Sequence, residues 1–147
     1  MEYTNQIKLE MWNRSENEAL ARTMAAAFAA QLDPTVEELT EIKTAISEAV
    51  SNAIIHGYKK DKNGIIRLEL SFDQSGKLIM VVEDQGVGIE DIEKAMEPLF
   101  TTGNSEERSG MGFTVMESFM DKVLVESKLG EGTRVTLIKM LDRAYGF

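Results

Sequence analysis

The segment Asp84–Phe113, DQGVGIEDIEKAMEPLFTTGNSEERSGMGF, decides how this chain is interpreted. It holds five of the eleven glycines, and four of these form a Gly-x-Gly pair near each end. Glycine lets a backbone bend sharply and come close to a ligand. The spacing therefore suggests two backbone contacts with one ligand, with residues 98–109 as a polar lid between them. Taken alone, the first pair is better explained as an ordinary glycine-rich turn.

Composition limits the classes of protein to consider. A chain of 147 residues, 43% of them hydrophobic, suits a single folded domain spanning residues 1–147. It has no cysteine and one histidine, which excludes thiolate and multi-histidine metal sites. No apolar run has the length of a membrane span, and MEYTNQIKLEMW is not a signal peptide, so we expect a cytoplasmic protein.

The net charge of −9 argues against direct nucleic-acid binding, which requires a basic surface. A nucleotide is still an acceptable ligand for such an acidic chain. Its phosphates would have to be neutralised by Mg²⁺ and by local backbone N–H groups.

Two helices are predicted ahead of the glycine-rich segment. The first follows a capping box of Ser15 and Glu18. Its predicted core-facing stripe consists of Leu20, Met24, Ala27 and Phe28. The second runs from about residue 36 to residue 55, after a capping box of Thr35 and Glu38. Its predicted core-facing residues are Leu39, Ile42, Ile46, Ala49 and Ala53.

The strand patterns complete the predicted fold. Residues 3–12 alternate as a strand, IIRLELSF and KLIMVVED form a hairpin across DQSG, and DKVLVESKLGEGTRVTLIKM forms a second hairpin that turns at GEG. A short helix, GMGFTVMESFM, precedes the second hairpin. We therefore predict an α+β two-layer sandwich, with a mixed, mostly antiparallel sheet covered on one face by helices.

Polar residues on the second helix form the first candidate site. Glu48, Asn52 and His56 are spaced i, i+4 and i+8 and fall on one stripe of the helix. An amide oxygen is a suitable ligand for Mg²⁺, and a neighbouring carboxylate can serve as a general base. For this helix considered alone, a solvated polar face is the better explanation.

The second candidate site lies at the two glycine pairs. Asp84 ends a hydrophobic strand just before Gly86 and Gly88, where its carboxylate would suit the exocyclic amine of adenine. Gly110 and Gly112 stand at a helix start beside Arg108, an arrangement typical of a phosphate cradle but also of a flexible helix entry.

Two other nucleotide motifs do not fit this chain. The dinucleotide fingerprint fails because its third glycine position is Asp91. The phosphate loop Gly-x4-Gly-Lys-Ser/Thr is absent from the sequence.

Three motifs occur in this order: the helix that carries Asn52, the Asp-x-Gly-x-Gly turn, and the later Gly-x-Gly pair at a helix start. Together they resemble the nucleotide site of the GHKL ATPase and kinase superfamily. Longer stretches, among them EAVSNAIIHGY and ERSGMGFTVMESFMD, resemble more specifically the sporulation anti-sigma F factors of Bacillus-type bacteria. The likeness covers nearly the whole chain up to Met140.

The resemblance implies a role for each matching residue. Glu48 would be the general base, Asn52 would hold Mg²⁺, and Arg108 would reach the γ-phosphate. The remaining residues implied to contact ATP or ADP are Asp84, Gly86, Gly88, Thr101, Gly110, Met111, Gly112 and Thr133. His56 is assigned a structural role ahead of a catalytic one, and Arg22 on the first helix is the candidate contact for a partner protein.

The resemblance also implies a function. The chain would be a homodimeric serine protein kinase that binds and inhibits a sporulation sigma factor, sigma F. With ATP and Mg²⁺, it would phosphorylate a serine of an anti-anti-sigma protein. Three alternatives stay open: a stress-response anti-sigma kinase of the same family, an ATP-regulated binding module without transferase activity, and a histidine-kinase catalytic domain.

Overall fold

The computed structural model describes residues 3–57, 64–86, 88 and 112–141. In chain order the elements are β1 (Asn5–Trp12), α1 (Glu16–Ala29), a 3₁₀ turn (Ala30–Leu32), α2 (Val36–Asn52), a π-turn (Ala53–Gly57), β2 (Ile65–Phe72), β3 (Lys77–Asp84), α3 (Gly112–Phe119), β4 (Lys122–Lys128) and β5 (Gly132–Met140). Within these ranges, the helices are too short or too polar to cross a membrane.

The five described strands form one sheet in the order β1-β2-β3-β5-β4, and each neighbouring pair is antiparallel. Side chains alternate between the two faces of the sheet, as strand geometry requires. One face carries the buried residues of β2 and β3, which join the core beneath the helices. The predicted α+β sandwich is therefore confirmed.

Helix α1 packs against α2, but through a different stripe from the predicted one. The buried residues are Ala21, Ala25, Phe28 and Ala29, whereas Leu20 is 53% exposed. Three of the four are alanines, whose small side chains allow the two helices to approach closely. Phe28 is buried as predicted, whereas the other predicted positions were wrong by one residue.

The two predicted capping boxes had different outcomes. At α2 the box is complete, since Glu38 N–H donates to Thr35 Oγ1 at 3.0 Å and Thr35 N–H donates to Glu38 Oε1 at 2.8 Å. At α1 the prediction was wrong. Ser15 has helical dihedral angles and makes no capping bond with its side chain, while Glu18 pairs with Arg22 one turn later.

Helix α2 ends at Asn52, earlier than predicted, and continues as the π-turn Ala53–Gly57. Of its predicted core residues, Ile42, Ile46, Ala49 and Ala53 are buried, and Leu39 packs partly buried against them. A π-turn winds with i→i+5 hydrogen bonds and is found often at functional sites. It changes the rotation per residue, so the single stripe predicted through residue 56 does not continue regularly past Asn52.

The face of the sheet away from the helices carries a row of alternating charges. The strand register places Glu10, Arg67, Glu83, Arg134 and Glu126 side by side across all five strands. Arg67 bridges Glu10 at 2.9 Å and Glu83 at 3.2 Å, and Arg134 reaches Glu83 at 2.9 Å. Cross-strand pairs of opposite charge favour this register over a shifted one.

Candidate functional site

A row of polar side chains, called the polar row below, lies at one end of the strands on the helix-covered face of the sheet. Asp84, the last residue of β3, lies opposite Thr133 in β5, and Thr133 lies opposite Ser127 in β4. On its other side, Asp84 is paired with the buried Ile66 of β2. Across the sheet, the residues in register are therefore apolar in β2 and polar in β3, β5 and β4.

Asp84 is the one charged side chain among the described residues that is buried, at 5% exposure. Its Oδ1 accepts the Gly86 N–H at 2.9 Å, and the carboxylate also accepts the backbone N–H of Thr133. Burial raises the pKa of the Asp84 carboxyl, and the nearby Glu83 charge acts in the same direction, while the two hydrogen bonds oppose the rise. A buried carboxylate with acceptor sites left over is suited to a ligand that brings N–H donors.

Thr133 and Ser127 extend this polar row. Thr133 was predicted from the resemblance to lie near Asp84, and the register places it there. Ser127 was not predicted. Its hydroxyl lies 2.8 Å from the Gly132 carbonyl oxygen and 2.9 Å from Thr133 Oγ1.

Two glycines permit the backbone after Asp84 to lie against the β4–β5 hairpin. Gly88 has φ +76°, and a Cβ there would overlap the Lys128 carbonyl oxygen. Gly132 has φ +90°, and a Cβ there would overlap the Asp84 carbonyl oxygen. Gly88 was predicted to lie beneath a bound base, which stays a prediction, and the structure shows that it allows this backbone packing. Gly132 was not predicted.

Glu48 and Asn52 lie one helical turn apart in the last part of α2, and both are half-buried. The π-turn that follows contacts β3 and β5, the strands that carry Asp84 and Thr133. The end of α2 is thereby held against the two strands that carry Asp84 and Thr133. His56 belongs to this π-turn, and its side chain lies outside the described residues.

The second glycine pair is described only in part. Gly112 is buried and is the first residue of α3, which packs against α2. Thr101, Arg108, Gly110, Met111 and the predicted lid at residues 98–109 lie outside the described residues.

The donor set of α2 suits magnesium better than a metal bound by the protein alone. In the ranges that the structure describes, no group of three or more histidine, cysteine or carboxylate side chains is placed to hold a metal. Mg²⁺ commonly takes one or two protein oxygens and completes its shell with phosphate oxygens and water. The Asn52 amide oxygen, half-buried at the helix end, fits that limited role.

Arg22, the predicted partner contact, lies on α1 and is tied to its own helix. Its Nη1 is 3.2 Å from Glu18 Oε1, one turn earlier, and its side chain is 42% exposed. A partly exposed i, i+4 pair of this kind is weak, so it leaves the guanidinium able to exchange partners.

Comparison with known proteins identifies the family. The model of the histidine kinase-like ATPase domain matches residues 11–139. The chain is 58% identical to the anti-sigma F factor of Thermoanaerobacter sp. (strain X514) over 141 residues, which cover 96% of this chain and 97% of the relative. The chain belongs to the anti-sigma F factor family. The anti-sigma F factor of Geobacillus kaustophilus is a further relative, 56% identical over 95% of both chains.

Solved structures agree with this family's fold. The RsbU and RsbW domains of a Mycobacterium tuberculosis protein match 96% of this chain and 33% of theirs, with a TM-score of 0.68 and 20% identity. The catalytic domain of the histidine kinase ThkA matches 96% of this chain and 97% of its own length, with a TM-score of 0.58 and 20% identity. Both likenesses concern the fold alone.

Proposed function

We propose that this chain is an anti-sigma factor that binds ATP, inhibits sigma F and phosphorylates a serine of its anti-anti-sigma protein. The observation that carries the proposal is the 58% identity to an anti-sigma F factor across 96% of the chain. The buried Asp84 carboxylate, at the end of the polar row, supports the nucleotide part of the proposal, because it can accept a hydrogen bond from an amine such as that of adenine.

In this proposal, the Asp84 carboxylate accepts a hydrogen bond from the adenine amine, with Gly86 and Gly88 beneath the base. Gly110, Met111 and Gly112 meet the phosphates at the start of α3, with Thr101 and Arg108 contributing from the preceding segment. Asn52 would hold a Mg²⁺ ion, which would supply positive charge to neutralise the phosphates. These assignments rest on the family resemblance and on the placement of Asn52, Asp84 and Gly112.

The reaction transfers the γ-phosphoryl group of ATP to a serine hydroxyl. The serine Oγ–P bond forms, the bond to the β-phosphate oxygen breaks, and ADP leaves. Glu48, one helical turn before Asn52, would take the serine proton. Positioning and charge neutralisation dominate such a transfer, so one base, one metal ligand and one arginine suffice.

The partners of this activity are proteins. Sigma F is proposed as a partner because the relatives are named anti-sigma F factors. The anti-anti-sigma protein and the homodimer are proposed from the family resemblance. Arg22 on α1 is the proposed partner contact, because it is a partly exposed charge whose ion pair with Glu18 lies within its own helix.

A Glu48→Gln substitution tests the proposal most sharply. The amide keeps the size of the side chain but cannot take a proton, and a general base contributes about 10²–10⁴-fold to rate. We expect serine phosphorylation to fall by that factor, while ATP binding and sigma F binding stay within a few-fold of wild type. Single-turnover phosphorylation and a sigma pull-down from one preparation measure both activities. Glu37→Gln, an exposed position on the same helix, is the charge-matched control.

The outcomes separate this function from its alternatives. Full activity in Glu48→Gln would remove Glu48 as the base, and loss of sigma binding would mean that the two functions share α2. A wild-type protein that binds ATP and sigma F but transfers no phosphate would be the ATP-regulated binding module. Preference for a stress-response sigma factor would indicate the related anti-sigma kinase.

A further inference from the structure

The Ser127 hydroxyl is the centre of a short hydrogen-bond chain. It lies 2.8 Å from the Gly132 carbonyl oxygen and 2.9 Å from Thr133 Oγ1. A hydroxyl has one proton to donate, and a carbonyl oxygen can only accept. Both contacts are therefore hydrogen bonds only if Ser127 donates to Gly132 and Thr133 donates to Ser127.

This assignment fixes the polarity of Thr133. Its proton points along the sheet toward β4, so Oγ1 offers only lone pairs to any other neighbour. Asp84, directly opposite in β3, is likewise an acceptor when ionised. Its carboxylate has about four acceptor positions, and two are used by the N–H groups of Gly86 and Thr133. The Asp84–Thr133 pair is therefore an acceptor-only surface.

We propose that Ser127 is a positioning residue that sets base specificity at the nucleotide site, by holding Thr133 as an acceptor. Such a surface pairs with an exocyclic amine, which brings two N–H donors, and so selects a 6-aminopurine. A 6-oxopurine would bring an acceptor against two acceptors, leaving buried polar groups unpaired. This inference rests on the proposed function, since it assumes that the base lies against Asp84.

ATP and inosine triphosphate are the probes for the test, because inosine carries a 6-oxo group where adenosine carries the amine. The affinity of each nucleotide is measured by calorimetry for wild type and Ser127→Ala. Without Ser127, the Thr133 hydroxyl can turn its proton toward the base and donate to the 6-oxo group. The preference for ATP should then fall by about 2- to 12-fold, the range expected for one neutral hydrogen bond.

Three further variants distinguish this role from a merely structural one. Ser127→Thr keeps a hydroxyl and should keep the wild-type preference. Thr133→Val removes the group that Ser127 orients, so adding Ser127→Ala to it should change the preference no further. Ser118→Ala removes a hydroxyl that bonds to the Thr114 carbonyl within α3, and it should leave the preference unchanged.

The inference and the proposed function fail in different ways. If wild type prefers ATP and Ser127→Ala keeps the same preference, the orienting role of Ser127 is wrong and the nucleotide site stands. If Ser127→Ala lowers the preference equally with and without Thr133, Ser127 acts by another route and the inference is overturned. If wild type binds neither nucleotide, the proposed function fails and this inference fails with it.

Discussion

At the scale of single residues, Asp84 combines a cost in stability with a candidate role in binding. Burial raises its carboxyl pKa above the ordinary value of 3.8. At pH values between 3.8 and the raised pKa of the folded chain, the folded chain binds more protons than the unfolded chain. The free energy of unfolding therefore falls as pH rises through this window. At neutral pH the ionised carboxylate therefore lowers the free energy of unfolding. A ligand that donates N–H groups to it would offset this loss.

We predict that Asp84→Asn is at least as stable as wild type at pH 7 but loses ATP binding. The Asn oxygen can still accept the Gly86 N–H, whereas its amide group presents N–H donors that meet the adenine amine. Urea unfolding between pH 4 and 7 measures stability, and calorimetry measures ATP affinity. The stability advantage of the variant over wild type should grow as pH rises.

Asp73→Asn is the matched control, with the opposite sign. Burial of Asp73 would raise its pKa, but hydrogen bonds from Ser75 and Lys77 outweigh burial and lower it. This carboxylate therefore adds stability above its unfolded pKa, and the addition is lost as pH falls. Asp73→Asn should be less stable than wild type at pH 7 and should bind ATP normally. Unchanged ATP affinity in Asp84→Asn would place the adenine pocket elsewhere.

The glycines of the β4–β5 hairpin provide a second prediction. Gly130 and Gly132 both have positive φ, but only Gly132 is blocked, by the Asp84 carbonyl. Gly130→Ala should lower the free energy of unfolding by about 1–2 kcal/mol, the cost of the left-handed backbone. Gly132→Ala should cost about 2–5 kcal/mol, since overpacking adds about 1–3 kcal/mol. Equal losses by urea unfolding would contradict the close approach of the hairpin to Asp84.

At the scale of elements, the two helix starts offer a comparison within one chain. Thr35 makes a complete capping box with Glu38, whereas the side chain of Ser15 caps nothing. Thr35→Ala should therefore cost about 1 kcal/mol of unfolding free energy. Ser15→Ala should stay within about 0.5 kcal/mol of wild type. Thermal or urea unfolding of the two variants checks this, and the reverse order would mean that α1 depends on its predicted cap.

The elements also mark the limits of sequence-based prediction. The apolar segments IIRLELSF and KLIMVVED, on either side of the turn DQSG, correctly predicted β2 and β3 as a hairpin. The stripe on α1 could not be predicted from hydrophobicity, because the contact with α2 favours Ala21 and Ala25 over the larger Leu20. Such a preference depends on how closely the partner helix approaches, which lies outside the sequence of α1.

The hairpin of β4 and β5 explains why Ser127 was missed. A turn placed at Gly130–Gly132 puts Leu129 opposite Thr133. The observed turn occupies residues 129–131 and pairs Lys128 with Gly132, so Ser127 lies opposite Thr133 instead. A small shift in turn position decides which side chain joins the site. Asp84 could be predicted without knowing the position of this turn, because it stands just before a glycine pair.

At the scale of the whole molecule, the two faces of the sheet differ in the side chains that they carry. The face beneath the helices holds the apolar core and ends in the polar row at Asp84. The other face holds the alternating charges centred on Glu83, which bridges Arg67 and Arg134. Within a chain of net charge −9, this row places two arginines between three glutamates, which reduces the repulsion between neighbouring carboxylates. The register that aligns these charges is also the register that places Thr133 beside Asp84.

A nucleotide that contacts Asp84 and Asn52 would connect the sheet to the end of α2, so its binding should stabilise the whole fold. A ligand present at about 100 times its Kd adds about 2.7 kcal/mol to the unfolding free energy.

We expect ATP with Mg²⁺ to raise the melting temperature of wild type more than ATP with a chelator. Asn52→Ala should lose this magnesium-dependent increment while keeping its fold without nucleotide, since alanine is the best helix former. Ser51→Ala, one residue earlier on the same helix, is the control and should keep the increment. A full magnesium-dependent increment in Asn52→Ala, measured by thermal unfolding with both nucleotide conditions, would mean that Mg²⁺ is held by other groups.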